Sequence, residues 1–324
     1  MSKLTKFFLF AVIMLTTHLA VAQENKILVA AASSSGTYST MLKEVSEFCN
    51  SNDLTIQEVP ISGGATDNLN ALVNNKVSLA FLHSDVIFAM SQTDAKYKAL
   101  KTLVALYPEE IHFIALRNSN VKKGGTLGFG AKEISFTNVA DLRGYKVGAA
   151  GGGAITAKLL QGQGEAGFSV IVKDTGKELL PALDSGEVQA VLFVGGAPLA
   201  NIESLDGSKY KLLSIPESIA NKVKTVYHSA TVNYPNLKSG PIATLAPDAI
   251  VLTRQYKSPR MVAPQRKFRA CFYQSLNDLK ETPGKHSKWQ AVNPDEHGSW
   301  DWYELPSFGE APSLPPNAPV VRKK

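Results

Sequence analysis

Between Ile27 and Leu213 short apolar runs alternate with segments of helical spacing, and this alternation restricts the chain to a parallel α/β architecture. The pattern predicts strands over 27–31, 54–60, 77–82, 100–106 and 111–116, with helices over 37–49, 65–74 and 84–90. A second series predicts strands over 145–150, 169–173, 190–193 and 211–213, and helices over 154–161, 177–183 and 198–205. Asn74-Asn75-Lys76-Val77-Ser78 and Asp184-Ser185-Gly186-Glu187-Val188 stop a helix and start a strand in the same manner. The two series therefore look like variants of one design. The chain is extended again over 242–252, and 266–279 carries Phe268, Cys271, Phe272, Ser275 and Leu276 on one helical face. Two similar lobes with a late return of the chain suggest a hinged molecule with its ligand between the lobes.

Four glycine and hydroxyl loops fall where strands end and helices begin. They are Ser33-Ser34-Ser35-Gly36-Thr37-Tyr38, Ser62-Gly63-Gly64-Ala65-Thr66, Gly151-Gly152-Gly153-Ala154 and Gly195-Gly196-Ala197-Pro198. Each opens toward free backbone N–H groups at the positive end of a helix, a place that attracts an anion. In a parallel sheet these loops line the crevice at the carboxyl ends of the strands, so they are expected to converge on one ligand.

The first residues carry Lys3 and Lys6, an uncharged apolar run from Phe7 to Leu19, and Ala20-Val21-Ala22 before Gln23. That is the pattern of a secretory signal cleaved after Ala22. The expected location is the periplasm. Of the formal charge of +6, Lys3 and Lys6 contribute two, and the remainder is scattered. No basic run is interleaved with aromatics, which argues against nucleic acid. Cys49 and Cys271 either pair across the length of the chain or serve as small buried residues. Residues 1–22 are read as the signal, 23–116 with 243–282 as lobe I, 117–242 as lobe II, and 283–324 as a wrapping tail rich in proline and tryptophan.

Enzyme chemistry is poorly served. The stretch from Tyr145 through Gly151-Gly152-Gly153 to Asp174 imitates a dinucleotide fingerprint, but Thr156 stands at the third glycine position. His83-Ser84-Asp85 has the residue types of a hydrolytic triad, yet adjacent residues cannot form a nucleophile, base and orienter chain. Ser84 and Asp85 are read as the cap and first turn of a helix, with His83 facing the crevice. The histidines lack ligand spacing, so neither a metal nor a cofactor is expected.

Several ordered blocks resemble the TAXI family, the solute-binding proteins of tripartite ATP-independent periplasmic (TRAP) transporters. They are Gly36-Thr37-Tyr38, Gly63 to Leu69, Leu79 to Asp85, Leu106-Tyr107-Pro108-Glu109, Asp141-Leu142-Arg143-Gly144, Val194 to Pro198, and Thr231 to Pro235. The resemblance implies a type II periplasmic-binding fold, two α/β lobes joined by crossing strands. It also implies a monomeric, non-enzymatic receptor for a small anionic solute, of amino-acid or dicarboxylate type, delivered to a TRAP-type permease. The alternative is a periplasmic sensor or scaffold of the same fold acting through a protein partner. Residues expected at the ligand are Ser33, Ser34, Ser35, Gly36, Thr37, Tyr38, Gly63, Gly64, Ala65, Asn68, His83, Ser84, Asp85, Gly152, Gly153, Thr156, Gly195, Gly196, Ala197, Pro198 and Tyr234. The chain departs from the family at the three serines, where glycine is usual, and at His83, where glutamine is usual.

Overall fold

The computed structural model describes residues 26–31, 36–51, 53–61, 63–119, 121–123 and 132–307. The expected signal, Ser33 to Ser35 and the end of the tail lie outside the described residues. The first lobe contains β1 (Lys26–Ala30), α1 (Thr37–Cys49), β2 (Thr55–Glu58), α2 (Ala65–Val73), β3 (Leu79–His83), α3 (Ser84–Ser91) and β4 (Leu100–Pro108). The chain then enters the second lobe as β5 (Ile111–Leu116), passes the short ladder of β6 (Lys122–Lys123) and β7 (Lys132–Glu133), and forms β8 (Lys146–Ala150), α4 (Gly151–Gly162) and β9 (Ser169–Lys173). There follow α5 (Leu179–Asp184), β10 (Ala190–Val194), α6 (Ala200–Glu203), β11 (Tyr210–Leu213), α7 (Glu217–Ala220), β12 (His228–Val232) and β13 (Ile242–Ala246). The return is made by β14 (Asp248–Arg254), α8 (Pro259–Gln274) and α9 (Leu276–Glu281).

Two five-stranded sheets result, ordered β2-β1-β3-β14-β4 and β11-β5-β10-β8-β9. In each, the strands of the alternating series run parallel, and a strand arriving from the other lobe pairs antiparallel: β14 against β3, and β5 against β10. The expected lobe boundary after Leu116 is corrected here. Strand β5 belongs to the second sheet, because the chain crosses between lobes at Glu109 and Glu110. It recrosses at Pro247, whose carbonyl accepts the Glu109 N–H at 2.8 Å, so the two crossings are bonded to each other.

Both sheets are covered on both faces, which explains their continuous apolar strands. All five residues of β3 are buried. On one face of the first sheet Phe81, Leu103 and Val251 pack with Met41, Leu42 and Val45 of α1 and Phe268 and Phe272 of α8; on the other, Leu82 and Ile250 pack with Leu69 and Leu72 of α2. Full burial of each such side chain contributes roughly 1.5–3 kcal/mol. The helix-stopping turns follow one rule: Asn75 (φ 59°) and Gly186 (φ 77°) both adopt the left-handed conformation that favours asparagine or glycine after a helix.

Cys49 of α1 and Cys271 of α8 form a disulfide, with Cα atoms 5.8 Å apart and a sequence separation of 222. Closing so long a loop stabilises the first lobe by roughly 2–5 kcal/mol. The C-terminal segment packs on the same lobe. Trp289 and Tyr303 enter its core, and Thr102 of β4 bonds Asp301 and Tyr303 through the backbone at 2.7 and 2.9 Å. No helix of the described residues is long and apolar enough to cross a membrane.

Candidate functional site

A cavity of about 340 Å³ lies between the lobes. The first lobe supplies Ala31, Gly36 to Tyr38, Gly63 to Ala65 and His83; the crossing supplies Glu109; the second lobe supplies Ala150 to Gly153, Asp174 to Gly176, Leu179, Leu192 to Gly195, and Leu199. The N-terminal residues of α1, α2 and α4 are all in its wall, and none of the three helices has a side-chain hydrogen bond at its N-cap. Their first N–H groups are thus unserved by side-chain caps.

Helix α4 starts on Gly151 rather than at Ala154, so glycines that read as a turn form its first residues. Glycine costs about 1 kcal/mol each in a helix relative to alanine. Its use here follows from the lobe contact. A Cβ on Gly151, whose φ is 51°, would stand 2.8 Å from the Gly63 carbonyl oxygen; one on Gly152 would stand 2.3 Å from His83 Nε2 and 2.9 Å from the Ala65 Cβ. The bare main chain of α4 therefore rests directly against the first lobe.

Behind this contact is a buried charge pair. His83 Nδ1 bonds Asp85, and the other Asp85 oxygen accepts from Thr156 at 2.7 Å and Tyr227 at 2.8 Å, both in the second lobe. Burial opposes the charge on each partner. The Asp85 charge nevertheless raises the His83 pKa, and His83 with the two hydroxyl donors lowers that of Asp85. The Asp85 carboxylate, held beside His83, thus latches the lobes together through the Thr156 and Tyr227 hydroxyls.

The crossing carries two acids with different partners. Glu109 accepts from the Tyr38 hydroxyl, and burial raises its pKa. Glu110 takes Lys288 of the C-terminal segment at 2.7 Å and the Ala197 N–H at 2.7 Å, which fixes the loop containing the cis Ala197–Pro198 bond. Leu199 N–H on that loop donates to the Tyr234 hydroxyl at 2.9 Å, and Tyr234 contacts His112 Nε2 at 2.9 Å.

Of the residues expected at the ligand, Gly36, Thr37, Tyr38, Gly63, Gly64, Ala65, His83, Gly152, Gly153 and Gly195 border the cavity. The others that the structure describes do not. Asn68 is buried and donates to the Phe81 carbonyl at 2.8 Å, tying α2 to β3. Ser84 is the first residue of α3 rather than its cap, and faces Asp248 and Ser299 at 3.1 and 2.9 Å. Asp85 and Thr156 are spent on the latch. Gly196, Ala197 and Pro198 lie beyond the wall, and Tyr234 is buried behind it at 1% exposure. Glu109 and the 174–176 loop were missed. The sequence signals for Glu109 were its place at the end of the block Leu106-Tyr107-Pro108-Glu109 and the acidic pair that it forms with Glu110.

Burial pushes the pKa of His112 down to about 3, so the folded chain holds it neutral. A depressed histidine contributes stability that is complete above about pH 6.5 and is lost as pH falls toward its folded value. The expected acid-side slope from this group is about 1.4 kcal/mol per pH unit. Denaturant titrations between pH 6.5 and 4 should show that component absent in His112→Gln; an unchanged slope would count against it.

The family model described as the NMT1-like family matches residues 29–263. The chain belongs to that family. Among solved structures, this NMT1-like chain is similar to a protein of Bordetella bronchiseptica RB50, with 16% identity over 83% of this chain and 76% of that one and a TM-score of 0.49. It is also similar to a Salmonella typhimurium periplasmic binding protein of high arginine specificity (10% identity, 83% and 99% covered, TM-score 0.49). A third is the amino acid ABC transporter substrate-binding protein AbpA of Streptococcus pneumoniae, bound to L-arginine (14% identity, 84% and 98% covered, TM-score 0.48). The architecture is a two-lobe α/β, periplasmic-binding-protein-like fold, and that assignment rests on the two sheets and their crossings.

Proposed function

We propose that this protein is a periplasmic receptor that closes its lobes over a small carboxylate-bearing solute and delivers it to a TRAP-type membrane permease. The observation that carries the reading is the convergence of three helix N-termini without side-chain caps on one interlobe cavity. Each such end stabilises an anion by roughly 0.3–2 kcal/mol, most where water is excluded. The cavity size suits a small metabolite. The signal-like N-terminus supports export, and the ordered TAXI-like blocks support the permease partner. No covalent chemistry is required: contacts to both lobes bias the chain toward its closed state.

A thermal-shift screen of amino acids, dicarboxylates and other small acids tests the reading. A genuine solute at 100 times its dissociation constant stabilises by about 2.7 kcal/mol and raises the melting temperature. If no small acid shifts it, the receptor reading fails.

A further inference from the structure

The cavity wall contains a buried acid, Glu109, whose cationic neighbour, His83, is already paired with Asp85. Glu109 is only 4% exposed, yet it borders the cavity, and the side-chain bond it makes is to the neutral hydroxyl of Tyr38. The neighbouring cation, Lys288, is engaged by Glu110. Among the described residues no lysine or arginine lines the cavity, and a second carboxylate, Asp174, stands on the facing lobe. The basic side chain in the wall, His83, already has Nδ1 committed to Asp85.

This arrangement separates two kinds of surface. The N-termini of α1 and α4 offer N–H donors and repel cations; Glu109 offers carboxylate oxygens and repels anions. Resting on the solute-receptor reading above, we propose that the solute carries a cationic nitrogen beside its carboxylate, and that Glu109 is the residue that selects for it. A solute ammonium supplies charge-assisted hydrogen bonds to the buried carboxylate, the strong class of such bonds. A dicarboxylate instead brings a second negative charge toward Glu109 or Asp174. Within the carboxylate class, the chemistry favoured is therefore that of a zwitterionic amino acid over a nitrogen-free diacid.

Calorimetric titration of the full mature chain with matched pairs separates the possibilities: L-alanine with L-lactate, L-leucine with L-2-hydroxyisocaproate, and L-glutamate with L-2-hydroxyglutarate, with succinate as the diacid. The expected result is that at least one amino member binds 30-fold or more tightly than its hydroxy partner and than succinate. In Glu109→Gln that preference should fall below threefold, through lost amino-acid affinity together with a gain for the hydroxy acid and succinate, which the carboxylate no longer repels; Glu109→Asp should retain part of it. Equal binding of nitrogen-free acids by the unaltered chain overturns the proposal, a result that stands even if Glu109→Gln does not fold, and leaves the receptor reading intact. A preference that survives in folded Glu109→Gln also overturns it. If no acid of either kind binds, the receptor reading falls and this proposal with it.

Discussion

Replacing Gly152 by leucine is expected to weaken solute binding at least 100-fold while leaving each lobe folded. The new Cβ alone would stand 2.3 Å from His83 Nε2 and 2.9 Å from the Ala65 Cβ. Neither neighbour has an easy escape. His83 is held by Asp85, and the Ala65 Cβ is fixed to the first turn of α2. The lobes must part instead. Overpacking of this kind costs about 1–3 kcal/mol, and a 100-fold loss corresponds to ~2.7 kcal/mol. Because parting the lobes also breaks the Asp85 bonds to Thr156 and Tyr227, the solute-free chain should lose about 1–3 kcal/mol of stability as well. Gly162→Ala is the control, since a Cβ at that end of the same helix meets nothing within 4 Å. Calorimetry with any solute that passes the thermal screen reads both variants.

The second large effect belongs to Asp85. Its removal as Asp85→Ala leaves the His83 imidazolium, the Thr156 hydroxyl and the Tyr227 hydroxyl without their acceptor in a buried place. Breaking a buried ion pair by deleting one member costs about 3–5 kcal/mol. The sign of its pH dependence follows from the two shifts. His83, raised from 6.5, contributes below that pH, and its share is lost as pH rises through the higher folded value. Asp85, lowered from 3.8, contributes above that pH, and its share is lost on acidification. The pair is therefore most effective between those two values. Denaturant midpoints of the unaltered chain and Asp85→Asn should lie furthest apart near pH 5 to 6 and converge on the alkaline side. A gap that is constant from pH 5 to 9 would rule out a charged latch.

Much of this architecture was legible because local chemistry dictates it. Strand and helix spacing located both series, and Asn75 and Gly186 marked equivalent turns. The glycine loops were found because only their backbone can approach a partner closely. What was not legible depends on how distant segments dock. Strand β5 follows β4 after two residues and looks like its sheet neighbour, but the link is a crossing. Asp85 and Thr156 have the residue types of ligand contacts; their pairing across 71 positions appears only once α4 lies on the first lobe. Tyr234 offered the flat wall and hydroxyl expected of a site, and those same features suit it to support the 195–199 loop from behind. Cys49 and Cys271 left pairing open because spacing says nothing about whether two helices lie side by side.

The central claim is that the interlobe cavity closes on a solute, and small-angle X-ray scattering of residues 23–324 tests it most directly. With a solute that raises the melting temperature, the radius of gyration should fall on binding, and Gly152→Leu should show no such fall. A solute that binds both forms equally tightly without changing their dimensions would contradict the account.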